Sequence, residues 1–237
     1  MNIAVITARG GSKRIPKKNI KEFWGKPMLA WPVMAARRAE IFDRIIVSTD
    51  SEEIAKVAVS FGAEVPFMRP PHLSDDHTPT APVLLHALDA LSEQEALAGT
   101  GKKITHACCI YPTAPFLQSD DLRRGLEALQ GGAPAAISVT SFAFPILRAF
   151  RLAEDGSLSF NWSEHELTRS QDLPEFYHDA GQFYWVDVEA FRASGRLIMP
   201  GSRPVILPRK RVQDLDTIED WEAAELMAHV LLQEEHS

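Results

Sequence analysis

NIAVITARGGSKRIPKKN, residues 2–19, is the segment around which the rest of the chain is organised. Residues 3–6 are a short apolar run, which is typical of a buried β-strand. A loop with two glycines and five cations follows, and no acidic residue occurs before Glu22. Glycine lets backbone N–H groups approach an anion closely, and Arg and Lys neutralise it. The stretch therefore predicts a strand that leads into a site for an anion of several charges. The five cations are Arg9, Lys13, Arg14, Lys17 and Lys18.

The simpler interpretation of this loop is a solvated basic surface, because most charge runs are surface features. Its position favours a ligand site, since ligands in open α/β sheets bind beyond the carboxyl ends of strands. The sequence contains neither G-x-x-x-x-G-K-[ST] nor G-x-G-x-x-G, so two common phosphate-binding loops are not indicated.

Composition limits the class of protein. The 237 residues, 45% of them hydrophobic, predict a single α/β domain over residues 1–237. A net charge of −7 argues against nucleic-acid binding, so the basic loop is a local feature of an acidic protein. The longest apolar runs are shorter than the roughly 18 residues of a membrane span, and we expect no membrane partner.

Two adjacent cysteines, Cys108 and Cys109, lie inside an apolar run. They indicate packing in a buried strand rather than a disulfide framework. The N-terminal residues also lack a signal-peptide pattern. We therefore expect a reduced, cytoplasmic protein.

Strands and helices alternate in the first part of the chain, which predicts a doubly wound, mostly parallel sheet. Pro27 is expected in the first turn of its helix, Asp50 and Ser51 cap the next, and Ser119 caps another. The predicted helices are residues 27–39, 52–61, 83–97 and 120–130, and the predicted strands after the first are residues 44–49, 63–68, 105–111 and 135–140.

The pattern changes at Ser141. Residues 142–179 contain many aromatic residues without a helical period, and we expect an inserted, mostly β arm over approximately residues 141–180. Its aromatic surface either is covered by another subunit or packs as a lid on its own domain. A strand over residues 182–188, a short helix to residue 193, a strand over residues 205–207 and a helix over residues 218–232 complete the prediction.

Asp214 and Asp216 are separated by one residue, so on an extended segment both side chains point the same way. Two carboxylates there suit Mg²⁺, which proteins usually hold with one or two carboxylates plus phosphate oxygens. The alternative is that Asp216 or Thr217 only caps the last helix.

Polar and aromatic side chains crowd together in residues 177–185, YHDAGQFYW, as in a sugar pocket. His178 beside Asp179 is a candidate for catalysis, although such a pair is more often structural. Arg169 is a candidate for gripping a carboxylate, and its alternative is an ordinary surface ion pair.

Five stretches in order along the chain resemble the acylneuraminate cytidylyltransferase family. They are residues 8–19, residues 42–50, residues 69–75, residues 111–115 and residues 214–217. The resemblance implies a Rossmann-like nucleotidyltransferase fold. It also implies a reaction of CTP with a nine-carbon acidic sugar, which gives a CMP-sugar and pyrophosphate, and a homodimer formed through the inserted arm.

The resemblance further implies roles for individual residues. Arg9, Lys18 and Asp214 would be catalytic, and Asp214 and Asp216 would carry Mg²⁺. The residues that would bind CTP are Ala8, Arg9, Gly11, Ser12, Lys18, Asn19, Arg69 and Thr80. The residues on the sugar side would be Tyr111, Arg169, His178, Asp179, Gln182 and Tyr184.

Within the family, residues 177–185 and Tyr111 are most similar to the branch that acts on pseudaminic acid. A glutamine usually stands at the position of Tyr111 in the sialic acid branch. The alternatives are the same reaction on legionaminic or N-acetylneuraminic acid, a CTP-binding sensor without catalysis, and a structural module whose arm binds other proteins.

Overall fold

A computed structural model describes residues 1–232 of the protein, and its centre is a six-stranded sheet. Residues 233–237, the end of the predicted single domain, lie outside the described residues. The strands in chain order are β1 (Asn2–Thr7), β2 (Glu22–Phe23), β3 (Lys26–Pro27), β4 (Arg44–Ser48), β5 (His106–Ile110), β6 (Ala135–Ser141), β7 (Phe150–Leu152), β8 (Leu158–Phe160), β9 (Tyr177–Asp187) and β10 (Arg203–Ile206).

The central sheet has the strand order β10-β6-β9-β5-β1-β4. β1 pairs in parallel with both neighbours, so that Val5 lies opposite Ile46 on one side and Cys109 on the other. β9 is antiparallel to both β5 and β6, and the β6–β9 register shifts between Ile137 and Val139. The predicted α/β fold with a mostly parallel sheet is confirmed.

Helices cover both faces of this sheet. They are α1 (Ala30–Ala39), α2 (Glu52–Ser60), α3 (Thr80–Leu97), α4 (Ser119–Gln130), α5 (Val188–Ser194) and α6 (Ile218–Leu231). Ala4 and Ile6 of β1 pack into a core with α1, α2 and α4. Ile3 and Val5 pack into a second core with α3 and α5. Side chains of a strand alternate between faces, so the apolar run of β1 is buried on both.

A third core joins the two ends of the chain. α6 packs Trp221 against Phe23 of the short β2–β3 hairpin, with the ring centroids 5.5 Å apart. Leu215 also belongs to this core, and it lies between the two aspartates of the predicted metal site. The core therefore carries the end of the chain back to the loop that follows β1.

Several predicted helix boundaries are confirmed by their caps. Ser51 accepts a hydrogen bond from the N–H of Ile54 at the start of α2. Thr217 and Asp220 form a capping box at the start of α6, so Thr217 rather than Asp216 is the cap. The prediction that Ser119 caps α4 is wrong, because Ser119 is the first helical residue and Gln118, which precedes it, makes no side-chain cap.

Two further predictions are wrong for identifiable reasons. Pro27 does not begin a helix but lies in β3 opposite Glu22, and the N–H of Met28 donates to Lys21 O at 3.0 Å. α1 begins three residues later, at Ala30. The strand predicted over residues 63–68 is reduced to two isolated bridges, at Glu64 and at Met68. Pro66 interrupts that segment, and proline cannot donate to a sheet ladder.

The prediction that the arm between β6 and β9 is mostly β is wrong, because this segment contains few strand residues. Its regular β structure is the β7–β8 hairpin of two three-residue strands, and 3₁₀ turns at Ile146–Arg148, Ser163–His165 and Ser170–Asp172 make up other parts. Its last predicted residues, 177–180, belong to β9 in the central sheet. Phe144 is 83% exposed and Leu167 is 94% exposed, so the apolar surface of this arm faces solvent in the single chain.

Within residues 1–232, the helices include none with the length and apolar composition needed to cross a membrane.

Candidate active site

A cavity of about 420 Å³ lies at the carboxyl end of β1, and we call it the first cavity. Four of the five cations of the basic loop line it, together with Ser12, Asn19, Arg69 and Thr80. Further lining residues are Thr7, Leu73, Asp75, Asp76, Thr78, Val83, Pro112 and Thr113. The cavity therefore combines five cationic side chains with polar ones.

Three contacts determine the shape of the basic loop. The N–H of Gly10 donates to Asp50 Oδ1 at 2.8 Å, and Asn19 Nδ2 donates to Arg9 O at 2.8 Å. Lys17 has a positive φ of 53°, and its Nζ lies 2.8 Å from a Glu53 carboxylate oxygen. Lys17 thus points away from the first cavity, and the N–H of Gly10 is already used within the protein.

Asp76 neutralises part of this positive charge. Its carboxylate accepts a hydrogen bond from Arg9 and lies 2.5 Å from Lys13 Nζ. The hydrogen bonds from Lys13 and Arg9 lower the pKa of Asp76 to about 2. Asp76 therefore remains ionised and holds both cations at neutral pH.

Arg69 is a buried residue in the lining of the first cavity. Its Nε donates to Ser48 Oγ at 3.1 Å, and a guanidinium nitrogen also donates to Ser48 O. Burial lowers the pKa of Arg69 to about 10, so the side chain is still charged at neutral pH. Its backbone N–H donates to Thr49 O at 2.7 Å, which ties this residue to the end of β4.

A second cavity of about 430 Å³ adjoins the first, and Thr113 lines both. Tyr111 in the second cavity and Thr80 in the first share a hydrogen bond of 3.0 Å between their hydroxyl oxygens. The remaining lining residues are His178, Asp179, Ala180, Gly181, Tyr184, Val212, Gln213 and Asp214. Two ligands could therefore lie side by side across this common wall.

The second cavity presents neutral hydroxyls and one fixed carboxylate. Tyr184 OH donates to Asp179, which also accepts from the N–H of Gly181 at 2.8 Å. The rings of Tyr111 and Tyr184 are 5.6 Å apart in an edge contact. Burial raises the pKa of both tyrosines, so their hydroxyls remain protonated at neutral pH. His178 packs on Phe142, with ring centroids 4.9 Å apart.

The aspartate segment brings the end of the chain to the basic loop. Asp216 lies 2.9 Å from an Arg14 nitrogen and 3.6 Å from Lys18 Nζ. Lys18 Nζ also donates to Leu215 O at 2.6 Å. The predicted convergence of residues from the two ends of the chain is therefore present in the geometry.

Asp214 differs from Asp216 in that it has no ion-pair partner among the described residues. Burial raises its pKa, and the negative charge of Asp216 raises it further. No group of three or more His, Cys, Asp or Glu side chains suitable for a metal occurs in residues 1–232. Two neighbouring carboxylates, one of them without an ion pair, nonetheless fit Mg²⁺, provided that phosphate oxygens complete its ligands.

Some predicted site residues lie outside both cavity linings. Ala8 is fully buried and its N–H donates to Ser48 O at 3.0 Å, while Gly11 is exposed on the loop. Gln182 is buried, and its Nε2 donates to Arg211 O at 2.6 Å. Arg169 is exposed at the start of a 3₁₀ turn in the arm. Their proposed ligand contacts stay predictions.

A comparison with models of protein families identifies the family of this chain. A family model described as Cytidylyltransferase matches residues 3–237. The chain belongs to the cytidylyltransferase family. The resemblance inferred from the sequence motifs is thereby confirmed, and the chain is a nucleotidyltransferase.

Several individual proteins resemble this cytidylyltransferase over its whole length. It is 40% identical over 230 residues to pseudaminic acid cytidylyltransferase of Campylobacter jejuni subsp. jejuni serotype O:2, with 97% of each chain covered. It is 29% identical to CMP-N,N'-diacetyllegionaminic acid synthase of Legionella pneumophila subsp. pneumophila, with 94% of each covered. Its fold matches CMP:2-keto-3-deoxy-manno-octonic acid synthetase complexed with CTP, with a TM-score of 0.64, 18% identity, and 97% of this chain and 99% of that chain covered.

Sequence reasoning gave no indication of a site role for several residues that line the cavities of the cytidylyltransferase, among them Lys13, Arg14, Asp76 and Thr113. Lys13 and Arg14 were visible only as members of the basic loop. Thr113 belongs to the 111–115 motif, and its position on the common wall requires the folded sheet. Asp76 follows the 69–75 motif, and its role as counter-ion depends on contacts across more than 60 residues of chain.

Proposed function

We propose that this cytidylyltransferase transfers CMP from CTP to pseudaminic acid and releases pyrophosphate. The observation that carries the proposal is the common wall at Thr113 between a cation-lined cavity and a cavity lined by tyrosines and carboxylates. The 40% identity to a protein named for this reaction supports pseudaminic acid as the substrate over legionaminic and N-acetylneuraminic acids.

The triphosphate of CTP would occupy the first cavity. Arg9 and Lys18 there would stabilise negative charge that moves towards pyrophosphate as its bond to the α-phosphorus breaks. Nucleotidyl transfer depends mainly on such charge stabilisation and on in-line placement of the reacting groups. Arg69 and Thr80 in the lining of this cavity would contact the nucleoside, with Ser12 and Asn19 at the loop.

The sugar would occupy the second cavity, with its anomeric hydroxyl directed across the common wall at the α-phosphorus. Tyr111 and Tyr184 offer protonated hydroxyls to its polar groups, and Asp179 can accept from a sugar hydroxyl or acetamido N–H. Asp214 and Asp216 would hold Mg²⁺, which when bound offsets triphosphate charge. Asp214 lines the sugar cavity while Asp216 contacts Lys18, so the pair spans the two ligands.

The carboxylate of the sugar calls for a cation that the second cavity does not contain among its lining residues. We propose that Arg169 supplies it from the arm of a second subunit in a homodimer. The exposed apolar surface of the arm supports this assembly, because large apolar patches commonly mark subunit interfaces. A cytoplasmic location suits an enzyme that consumes CTP and has two buried, reduced cysteines.

A pyrophosphate-release assay with CTP and Mg²⁺ tests the proposed function. Pseudaminic, legionaminic and N-acetylneuraminic acids are compared, and we expect the highest kcat/KM with pseudaminic acid. Lys18→Ala should lower kcat by about 10²–10³-fold, the usual effect of removing one charge-stabilising contact.

Lys17→Ala is the matched control, because the two lysines are neighbours and Lys17 pairs with Glu53 outside the cavity. It should retain wild-type activity. If pyrophosphate is released only with one of the other two sugars, that sugar is the substrate. Binding of CTP without release of pyrophosphate from it in the presence of any of the three sugars would reject the reaction and favour a nucleotide sensor.

A further inference from the structure

A buried ion pair lies behind the second cavity and joins α4 to the segment that carries Asp214. Asp121 in the first turn of α4 is 2% exposed, and Arg211 is 8% exposed. Arg211 donates from both terminal nitrogens, with Nη2 at 3.1 Å from Asp121 Oδ1 and Nη1 in contact with Oδ2. Arg124 Nη2 donates to the same Oδ1 at 2.6 Å. The paired fork gives Arg211 a defined orientation as well as a charge partner.

The main chain of Arg211 is held from a second direction. Gln182 Nε2 in β9 donates to Arg211 O at 2.6 Å, and Gln182 is itself buried. Gly181 and Tyr184 of the same strand line the second cavity. Arg211 is therefore fixed by its side chain to α4 and by its carbonyl oxygen to the strand that forms the opposite wall of the cavity.

The segment that follows Arg211 forms one wall of the second cavity, through Val212, Gln213 and Asp214. Its other end is held by Leu215, which is buried in the third core. The segment is thus clamped at both ends, and Asp214 lies between the clamps. A displacement of Arg211 would be transmitted to Asp214 through only two intervening residues.

We propose that Asp121, Arg211 and Gln182 are positioning residues that set the location of Asp214 for binding Mg²⁺ with CTP. None of the three lines either described cavity, so they act through the backbone. A buried ion pair is a weak source of stability, because desolvation offsets its attraction. A role in fixing the position of Asp214 is a sufficient reason for a buried ion pair at this place. The inference rests on the proposed function.

Two variants test the inference without leaving a bare buried charge. Arg211→Met removes the fork while Asp121 keeps its contact with Arg124. Gln182→Leu removes only the hydrogen bond to Arg211 O. CTP binding is measured by calorimetry at increasing Mg²⁺ concentrations without sugar, so that the readout does not depend on turnover.

We expect each variant to raise the half-saturating Mg²⁺ concentration about 10-fold or more, the usual effect of losing a residue that orients a metal ligand. Weak Mg²⁺-independent binding of CTP should not change. Arg211→Lys keeps the charge but not the fork and should fall between wild type and Arg211→Met.

Arg44→Met is the matched control, because it breaks ion pairs with Glu64 at 2.7 Å and Glu95 at 3.2 Å that lie away from both cavities. It should lower the melting temperature without changing the Mg²⁺ dependence. If Arg211→Met and Gln182→Leu behave like this control, the three residues are only structural and the inference is wrong.

Failure of the inference can be distinguished from failure of the proposed function. A wild-type protein that binds CTP with Mg²⁺ but releases no pyrophosphate overturns the function, while the calorimetric comparison still decides the positioning role. If Arg211→Met does not fold, Gln182→Leu decides the question, because it removes a single hydrogen bond.

Discussion

At Asp214, the folded chain destabilises the charged form of a carboxyl group. Burial and the neighbouring Asp216 raise its pKa above the ordinary value of 3.8, and Lys18 compensates only in part. The folded state therefore binds this proton more readily than the unfolded state does. Ionised Asp214 lowers stability at neutral pH, and this penalty disappears as the pH falls through the raised pKa. A bound cation would remove the same penalty.

Asp214→Asn should therefore stabilise the ligand-free protein while it removes activity. We expect the melting temperature at pH 7 to rise by at most about 2 °C, since solvent reaches the group and screens the repulsion. Turnover should fall about 10²–10³-fold. Thermal unfolding at pH 7 and pH 4 is the measurement, and the difference between variant and wild type should shrink at the lower pH.

Asp155→Asn is the control of opposite sign for that experiment. Hydrogen bonds from Ser157 lower the pKa of Asp155, so its ionised form is favoured in the folded state. The variant should not raise the melting temperature at pH 7, and it lies outside both cavities. A destabilised Asp214→Asn protein would contradict the charge-repulsion account.

Residue types in the basic loop were sufficient to predict where a cation-lined cavity lies, but not which of the cations line it. Lys17 and Lys18 are adjacent and chemically identical, yet one pairs with Glu53 and the other contacts Leu215 O. Lys17 has a positive φ, and the partners that distinguish the two side chains, Glu53 and Leu215 O, are distant in sequence. The counter-ion role of Asp76 was hidden for the same reason.

Among the elements, α4 and β9 are packed more closely than ordinary side chains permit. A Cβ on Gly125 would lie 2.3 Å from Trp185 Cδ1. Trp185 cannot easily move, because its Nε1 donates to Leu122 O at 3.0 Å and its ring stacks on Phe42 with centroids 5.1 Å apart. Glycine at this helical position is therefore required by packing.

Gly125→Ala should destabilise the protein, although alanine is the better helix former. We expect overpacking by a Cβ this close to a fixed ring to cost towards the upper end of about 1–3 kcal/mol, which outweighs the roughly 1 kcal/mol that alanine gains in a free helix. Urea unfolding measures it. Glu127→Ala on the exposed face of α4 is the control and should change stability by no more than about 0.5 kcal/mol. Equal or greater stability of Gly125→Ala would show that Trp185 adjusts freely.

Hydrophobic periodicity predicted most strands and helices of the central sheet, because those segments are buried in the way that their patterns require. It did not reveal that β9 runs antiparallel between β5 and β6. Strand direction depends on how the arm returns the chain to the sheet, and no local pattern encodes it. Pro27 was misassigned because a favourable first-turn residue for a helix can equally occupy a short edge strand.

At the level of the whole molecule, we expect removal of the arm to leave the central sheet folded, because the two ends of the arm lie side by side. Ser141 of β6 lies opposite Tyr177 of β9, and the N–H of Phe142 donates to Phe176 O at 3.0 Å. Replacing residues 144–174 with a short Gly-Ser linker should yield a folded monomer if the arm forms the dimer interface. Light scattering after size-exclusion chromatography measures the mass, and a dimer of the shortened chain would contradict the interface.

Mixing two inactive variants distinguishes an arm that only holds subunits together from one that completes the partner's site. Lys18→Ala damages the first cavity, and Arg169→Ala removes the proposed sugar contact. If the arm acts on the partner subunit, a mixed dimer contains one intact site, and refolding the two variants together should restore up to about a quarter of wild-type turnover, from the binomial frequency of intact sites. Without restored activity, Arg169 does not act across subunits.

The ion pairs that Asp76 makes with Arg9 and Lys13 have a consequence for how ligands compete for the enzyme. A triphosphate that binds these cations must displace the Asp76 carboxylate from them. Binding is therefore an exchange of one anion for another. Singly charged anions such as chloride or acetate gain little binding free energy from that exchange, because they replace one negative charge with another. Asp76 thus acts as a built-in competitor for Arg9 and Lys13, and an anion of several charges displaces it more readily than a singly charged anion does.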